Sequence, residues 1–147
     1  MSDIVVVDAS LAIKWVLSET DSALAVKLLN KWTGEGKEMS APALFTYEVT
    51  NILYRRALRG LLTYEEAMRA LTDIFAVTVS LDFSLYENIS TQAMKLAHRF
   101  KLPAAYDAHY LALAERENCE YWTADTRLWN SVKNKLSWVH WLGDYQP

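Results

Sequence analysis

The chain has 147 residues, 52% hydrophobic and 22% charged, which is the balance of one globular domain and excludes disorder. With only 4 Gly and 3 Pro, collagen-like and linker-rich architectures are excluded as well. Lys plus Arg is 15 against 18 Asp plus Glu, so the net charge of −3 rules out a generic polyanion binder and leaves any nucleic-acid contact to local patches.

The opening segment MSDIVVVDAS has no basic region ahead of its short apolar run, so no secretory signal is expected and the protein is placed in the cytoplasm. No apolar run approaches the ~18 residues of a membrane span. Ile4-Val5-Val6-Val7 is a β-branched run without polar alternation, predicting a strand covered on both faces and ending at Asp8. Ser10 can cap a short helix to 17, and Thr20 or Asp21 a second one to about 32, broken by Gly34-Glu35-Gly36. Residues 39–41 predict a small strand stopped by Pro42. A long helix follows over about 43–58 and ends before Gly60. Thr63 with Glu66 is a capping-box pattern opening a helix to about 75. Val77, Val79 and Leu81 then alternate with polar residues as in a half-buried strand. Ser84 with Glu87 repeats the capping-box pattern for a helix to about 100, and another helix covers about 105–117. Residues 121–123 predict a strand, 126–133 a short helix and 138–140 a last strand. Strands alternating with helices give an α/β fold, one domain over 1–147, with a central, mainly parallel sheet flanked by helices. There is no internal repeat, low-complexity segment or linker.

Two acids stand at strand ends in this pattern. Asp8 follows the first strand directly, and Asp125 lies two residues past 123. If both strands are parallel, the two acids share the sheet edge where open α/β sheets bind ligands. Glu48 borders the apolar row of Phe45, Val49, Ile52, Leu53 and Ala57, with Asn51 on the same helix face. Asp107 falls in the first turn of its helix, between Tyr106 and Tyr110. Carboxylates directed together into a partly apolar site repel one another and raise each other's pKa, and a hard divalent cation relieves that conflict. Each acid alone also has a structural reading: Asp8 and Asp125 as helix caps, Asp107 as a complement to the helix dipole, Glu48 as an edge residue reaching solvent.

Other chemistry is poorly represented. His98, His109 and His140 have no metal-ligand spacing and read as surface or partly buried residues. GxSxG, GxxxxGK[ST] and GxGxxG are all absent. Cys119 is the only cysteine, so neither an internal disulfide nor a cysteine-built zinc site is possible. Arg55, Arg56 and Arg59, with Lys95, Arg99 and Lys101, form either solvated helix faces or phosphate contacts. The six Trp residues read as core or interface.

The segments VVVDASLAIKWVLSE, APALFTYEVTNILYRR, LPAAYDAHYLALAERENCEYWTAD and TADTRLW, in this order across nearly the whole chain, resemble PIN-domain proteins of the VapC-like toxin ribonuclease kind. The resemblance implies a PIN-like three-layer fold. It also implies an acidic Mg²⁺ or Mn²⁺ site formed by Asp8, Glu48, Asp107 and Asp125, supported by Ser10, Asn51 and Thr123, and an endoribonuclease that hydrolyses RNA phosphodiesters. Leu128 stands where the family often has Phe. As partners, the resemblance implies RNA, a cognate antitoxin and a second copy of the chain, with no membrane. Trp15 and Trp32 belong either to a groove for the antitoxin or to the core. The competing expectations are a PIN-fold module that binds RNA or protein without cutting, and a phosphotransfer or receiver-like domain. The latter is disfavoured because Ser10 stands where a dehalogenase-type phosphatase needs an Asp.

Overall fold

The computed structural model describes residues 2–83 and 87–147. The expected Ser84–Glu87 capping box lies outside the described residues. Five strands, β1 (Ile4–Val7), β2 (Glu38–Pro42), β3 (Val79–Asp82), β4 (Glu120–Thr123) and β5 (Val139–Trp141), form one sheet in the order β3-β2-β1-β4-β5. Every pairing is parallel. The helices are α1 (Ala9–Val16), α2 (Ser22–Gly34), α3 (Leu44–Leu58), α4 (Tyr64–Ala76), α5 (Glu87–Phe100), α6 (Tyr106–Glu117) and α7 (Thr126–Val132). A 3-10 turn, Leu142–Asp144, closes the fold.

β1 is the hinge of the topology. Its residues alternate between two cores, Val6 packing with Phe45, Val49 and Leu111, and Val5 and Val7 with Leu11, Leu28 and Trp32. The unbroken β-branched run therefore marks a strand covered on both faces, as expected. Trp32 belongs to this core, while Trp15 is half-buried. β3 begins at Val79 rather than Val77, which instead caps α4, and all four of its residues are half-buried. The expected alternation is blunted because β3 is an edge strand, with β2 as its single neighbour.

Helix ends follow local chemistry, with two corrections. The capping box at α4 is reciprocal: Thr63 N donates to Glu66 Oε2 at 2.7 Å and Glu66 N to Thr63 Oγ at 3.1 Å. Gly60, at φ 75°, takes the left-handed conformation that ends α3. The cap of α1 is Asp8, not Ser10: its side chain accepts from Leu11 N, and Ser10 is already the second residue of the helix. Asp21 occupies the cap of α2 in a left-handed conformation without a side-chain bond. Ser22 stabilises that turn instead, accepting from Glu19 N at 3.0 Å and donating to the carbonyl of Leu17 at 2.6 Å.

Candidate active site

From β1 the chain steps outward to β2 and β3, then returns across the sheet to β4 on the other side of β1. The order reverses between β1 and β4, so a crevice opens outside the carboxyl ends of these strands. Asp8 follows β1, and Thr123 ends β4 two residues before Asp125.

Asp8 is 5% exposed and surrounded by donors. Its Oδ1 accepts from Ser10 Oγ at 2.6 Å and Leu11 N at 3.0 Å. Its Oδ2 accepts from Tyr121 OH at 2.6 Å and, through a short bond, from Thr123 Oγ1. Each carboxylate oxygen thus accepts two hydrogen bonds, so a cation held by Asp8 would take the place of one of these donors. The two short hydroxyl side chains are themselves fixed, Ser10 accepting from Ala124 N and Thr123 from Asp125 N, each at 3.0 Å. Asp125 caps α7, its Oδ1 accepting from Arg127 N at 2.9 Å and Leu128 N at 3.3 Å. The cap readings of Asp8 and Asp125 therefore coexist with membership of the acidic cluster: capping is what sets the direction of each carboxyl group. Leu128, buried on α7, fills the core position below it.

Glu48 on α3 and Asp107 in the first turn of α6 are half-buried, and Tyr110 donates to Glu48 Oε1 at 2.9 Å. The acids are close enough for their charges to act on one another. Burial, and then the negative charges of Asp8, Asp107 and Asp125, push Glu48 up to about 7 against the opposing Tyr110 bond. Burial, with Asp8 and Asp125, pushes Asp107 up to about 6. Asp8 is also raised by burial, against the pull of its donors. Among the described residues no three acid, histidine or cysteine side chains are set for joint coordination as they stand. The donor set nevertheless fits a hard divalent cation: it consists of carboxylate oxygens, and their mutual repulsion is what such an ion relieves.

Asn51 lies one turn beyond Glu48 and is exposed, and none of the hydrogen bonds found to the four acids comes from it. None of the hydrogen bonds found to the four acids comes from a histidine. His109 Nδ1 is 2.7 Å from the Ala105 carbonyl, and His140 pairs with Glu120 at 3.4 Å. Reading by residue type overlooked Tyr110 and Tyr121. Spacing could have found both, since Tyr110 is three residues after Asp107 on one helix face and Tyr121 two before Thr123 on one strand face.

Among the described residues no helix is long and apolar enough to cross a membrane. Comparison with known proteins agrees with the fold and its ordering of motifs. Ribonuclease VapC3 of Pyrobaculum aerophilum is 32% identical over 123 residues, spanning 84% of this chain and 90% of that protein. Among solved structures, PAE2754 from Pyrobaculum aerophilum superposes with a TM-score of 0.63 at 23% identity, covering 88% of this chain and 79% of the other. VapC20 of Mycobacterium tuberculosis, described as a sarcin-ricin loop cleaving toxin, gives a TM-score of 0.65 at 15% identity, covering 87% and 95%. Residues 5–134 match the PIN domain, so the chain belongs to the PIN-domain family.

Proposed function

We propose that the protein is a metal-dependent endoribonuclease, the toxin of a toxin–antitoxin pair, hydrolysing RNA phosphodiester bonds at the acidic crevice. The observation that carries this reading is a chain of contacts at the β1–β4 switch point, in which Asp8 is bonded to Tyr121, Tyr121 stacks on Tyr110 and Tyr110 is bonded to Glu48. The likeness to Ribonuclease VapC3 supports the reaction class.

In this reading Asp8 and Asp107 hold the principal Mg²⁺ or Mn²⁺, with Asp125 and Glu48 completing the set directly or through water. When bound, the ion lowers the pKa of a water and offsets charge on the phosphate. Ser10 and Thr123 hold the Asp8 carboxylate in place, and Asn51 lies near enough on the helix to assist Glu48. Arg55, Arg59, Lys95, Arg99 and Lys101 are exposed and available to phosphates, whereas Arg56 is engaged with Glu19 at 2.8 Å. An exposed apolar surface supports a protein partner, antitoxin or second copy: Tyr47, Tyr54 and Leu58 on α3, with Tyr64, Met68 and Phe75 on α4.

The test is incubation of the purified chain with mixed RNAs, with Mn²⁺ or with EDTA, beside its Asp8→Asn variant. Internal cleavage that needs the cation and Asp8 is expected. Cleavage unaffected by EDTA, or equal in the variant, would overturn the reading.

A further inference from the structure

Tyr110 and Tyr121 are fully buried, and their rings stack with centroids 5.8 Å apart at an interplanar angle of 17°. Two phenylalanines would fill this space without taking two hydroxyls out of water, which is unfavourable unless each finds an acceptor. Here each hydroxyl meets a different acid, Tyr110 on Glu48 at 2.9 Å and Tyr121 on Asp8 at 2.6 Å. Glu48 belongs to α3 and Asp8 to the end of β1, so the stacked pair ties together acids brought by separate elements.

The two acids are held unequally. Asp8 has donors on both oxygens, from Ser10, Leu11, Thr123 and Tyr121, and loses little if one is removed. The hydrogen bond found to Glu48 among the described residues is that of Tyr110, on Oε1 alone. A glutamate side chain has three rotatable bonds, so without this anchor its carboxylate is free to swing. From this asymmetry we infer that Tyr110 is a positioning residue: its hydroxyl fixes Glu48 Oε1 and leaves Oε2 to serve a divalent cation, while Tyr121 steadies the Tyr110 ring. The inference rests on the reading of the crevice as a cation site.

Mn²⁺ affinity of the whole chain, measured calorimetrically without RNA, tests it. Tyr110→Phe keeps the ring and removes the hydroxyl, and is expected to weaken Mn²⁺ binding about tenfold, the range for groups that orient ligands. Tyr121→Phe should change it by less than about threefold. In a Glu48→Gln background, Tyr110→Phe should add nothing, because the group it positions no longer carries the ligating charge. An unchanged affinity for Tyr110→Phe, an equal loss for Tyr121→Phe, or a loss that persists in Glu48→Gln would overturn the inference while leaving the cation site standing. A wild-type chain that binds no Mn²⁺ would remove both. Should Tyr110→Phe not fold, the unaltered chain with ¹³C-labelled tyrosine supplies the answer: on Mg²⁺ addition the hydroxyl-bearing carbon of Tyr110 should shift more than that of exposed Tyr64, and an equal or smaller shift counts against the inference.

Discussion

The hydroxyl oxygens of Ser10 and Thr123, 113 residues apart in sequence, lie 3.3 Å from each other and donate to different oxygens of the same carboxylate, that of Asp8. Each accepts a backbone amide from the β4–α7 turn, so neither is free to rotate away. The pair fixes the direction of the buried Asp8 carboxylate.

Asp8→Asn should therefore separate chemistry from folding. Asn is as good a helix cap as Asp: its amide oxygen keeps Ser10 and Leu11, and its NH2 can donate to the Tyr121 and Thr123 hydroxyls, which are able to accept. RNA cleavage should fall by at least about a hundredfold, since orienting groups alone account for ~10–100-fold. The melting temperature should stay within a few degrees, about one kcal/mol for a domain of this size. Parallel cleavage assays and thermal melts decide it; a variant that cleaves normally, or one that unfolds, would contradict the assignment.

The acids also set a pH dependence. Glu48 rises from 4.5 to about 7 and Asp107 from 3.8 to about 6, so the folded chain binds more protons than the unfolded one between these values. Cation-free stability should accordingly decline as pH rises from about 4.5 to about 7. Glu120 works in the opposite sense: the hydrogen bond with His140 leads in lowering it from 4.5 to about 2, so its contribution is present above 4.5 and fades as pH falls toward 2. Melting in EDTA should peak near about pH 4, where the two opposing effects balance. Because ligation requires deprotonated carboxylates, Mg²⁺ should raise the melting temperature more at pH 8 than at pH 5. A Mg²⁺ effect independent of pH would contradict this.

Sequence legibility differed by residue. Val5, Val6 and Val7 announced a doubly covered strand because a run of β-branched residues suits no other place in an α/β fold, and with the strand came the position of Asp8. Thr63 and Glu66 were legible because both halves of their interaction lie within four residues. Ser10 is not the cap because Asp8, two residues earlier, takes that place and accepts from Ser10, while Thr123 and Ala124, its other partners, lie more than a hundred residues away. For Tyr110 the spacing after Asp107 offered a hint of its face but not of its partner, because the fold brings its hydroxyl to Glu48, 62 residues distant.

The α4 cap offers a control for global effects. Thr63→Ala removes one half of a reciprocal pair exposed at the start of the helix, and should cost about 1 kcal/mol, or ~2–4 °C in melting temperature. Cleavage at a temperature well below the transition should be unchanged. A specific loss of activity would mean that α4 communicates with the acids in a manner the packing does not explain.

RNA attraction is expected to reside in a few exposed cations. Arg99, in the last turn of α5, and Lys101, five residues before the helix that carries Asp107, are both exposed. Replacing both with Ser should weaken RNA binding by the Asp8→Asn variant and make its salt dependence shallower by about one to two in log–log slope, each phosphate contact contributing ~0.7 for a single strand. Filter binding across a salt series reads this directly; an unchanged slope would place the phosphates elsewhere.

The central position of β1 has a consequence for biosynthesis. Asp8 is made more than a hundred residues ahead of Tyr121 and Thr123, whose hydroxyls bind one of its two oxygens. Until those residues appear, the early strand lacks one of its two neighbours and Asp8 two of its four donors, so the acidic cluster is incomplete in the growing chain. Assembly of the acidic cluster therefore waits on β4, however well the elements made before it have already packed.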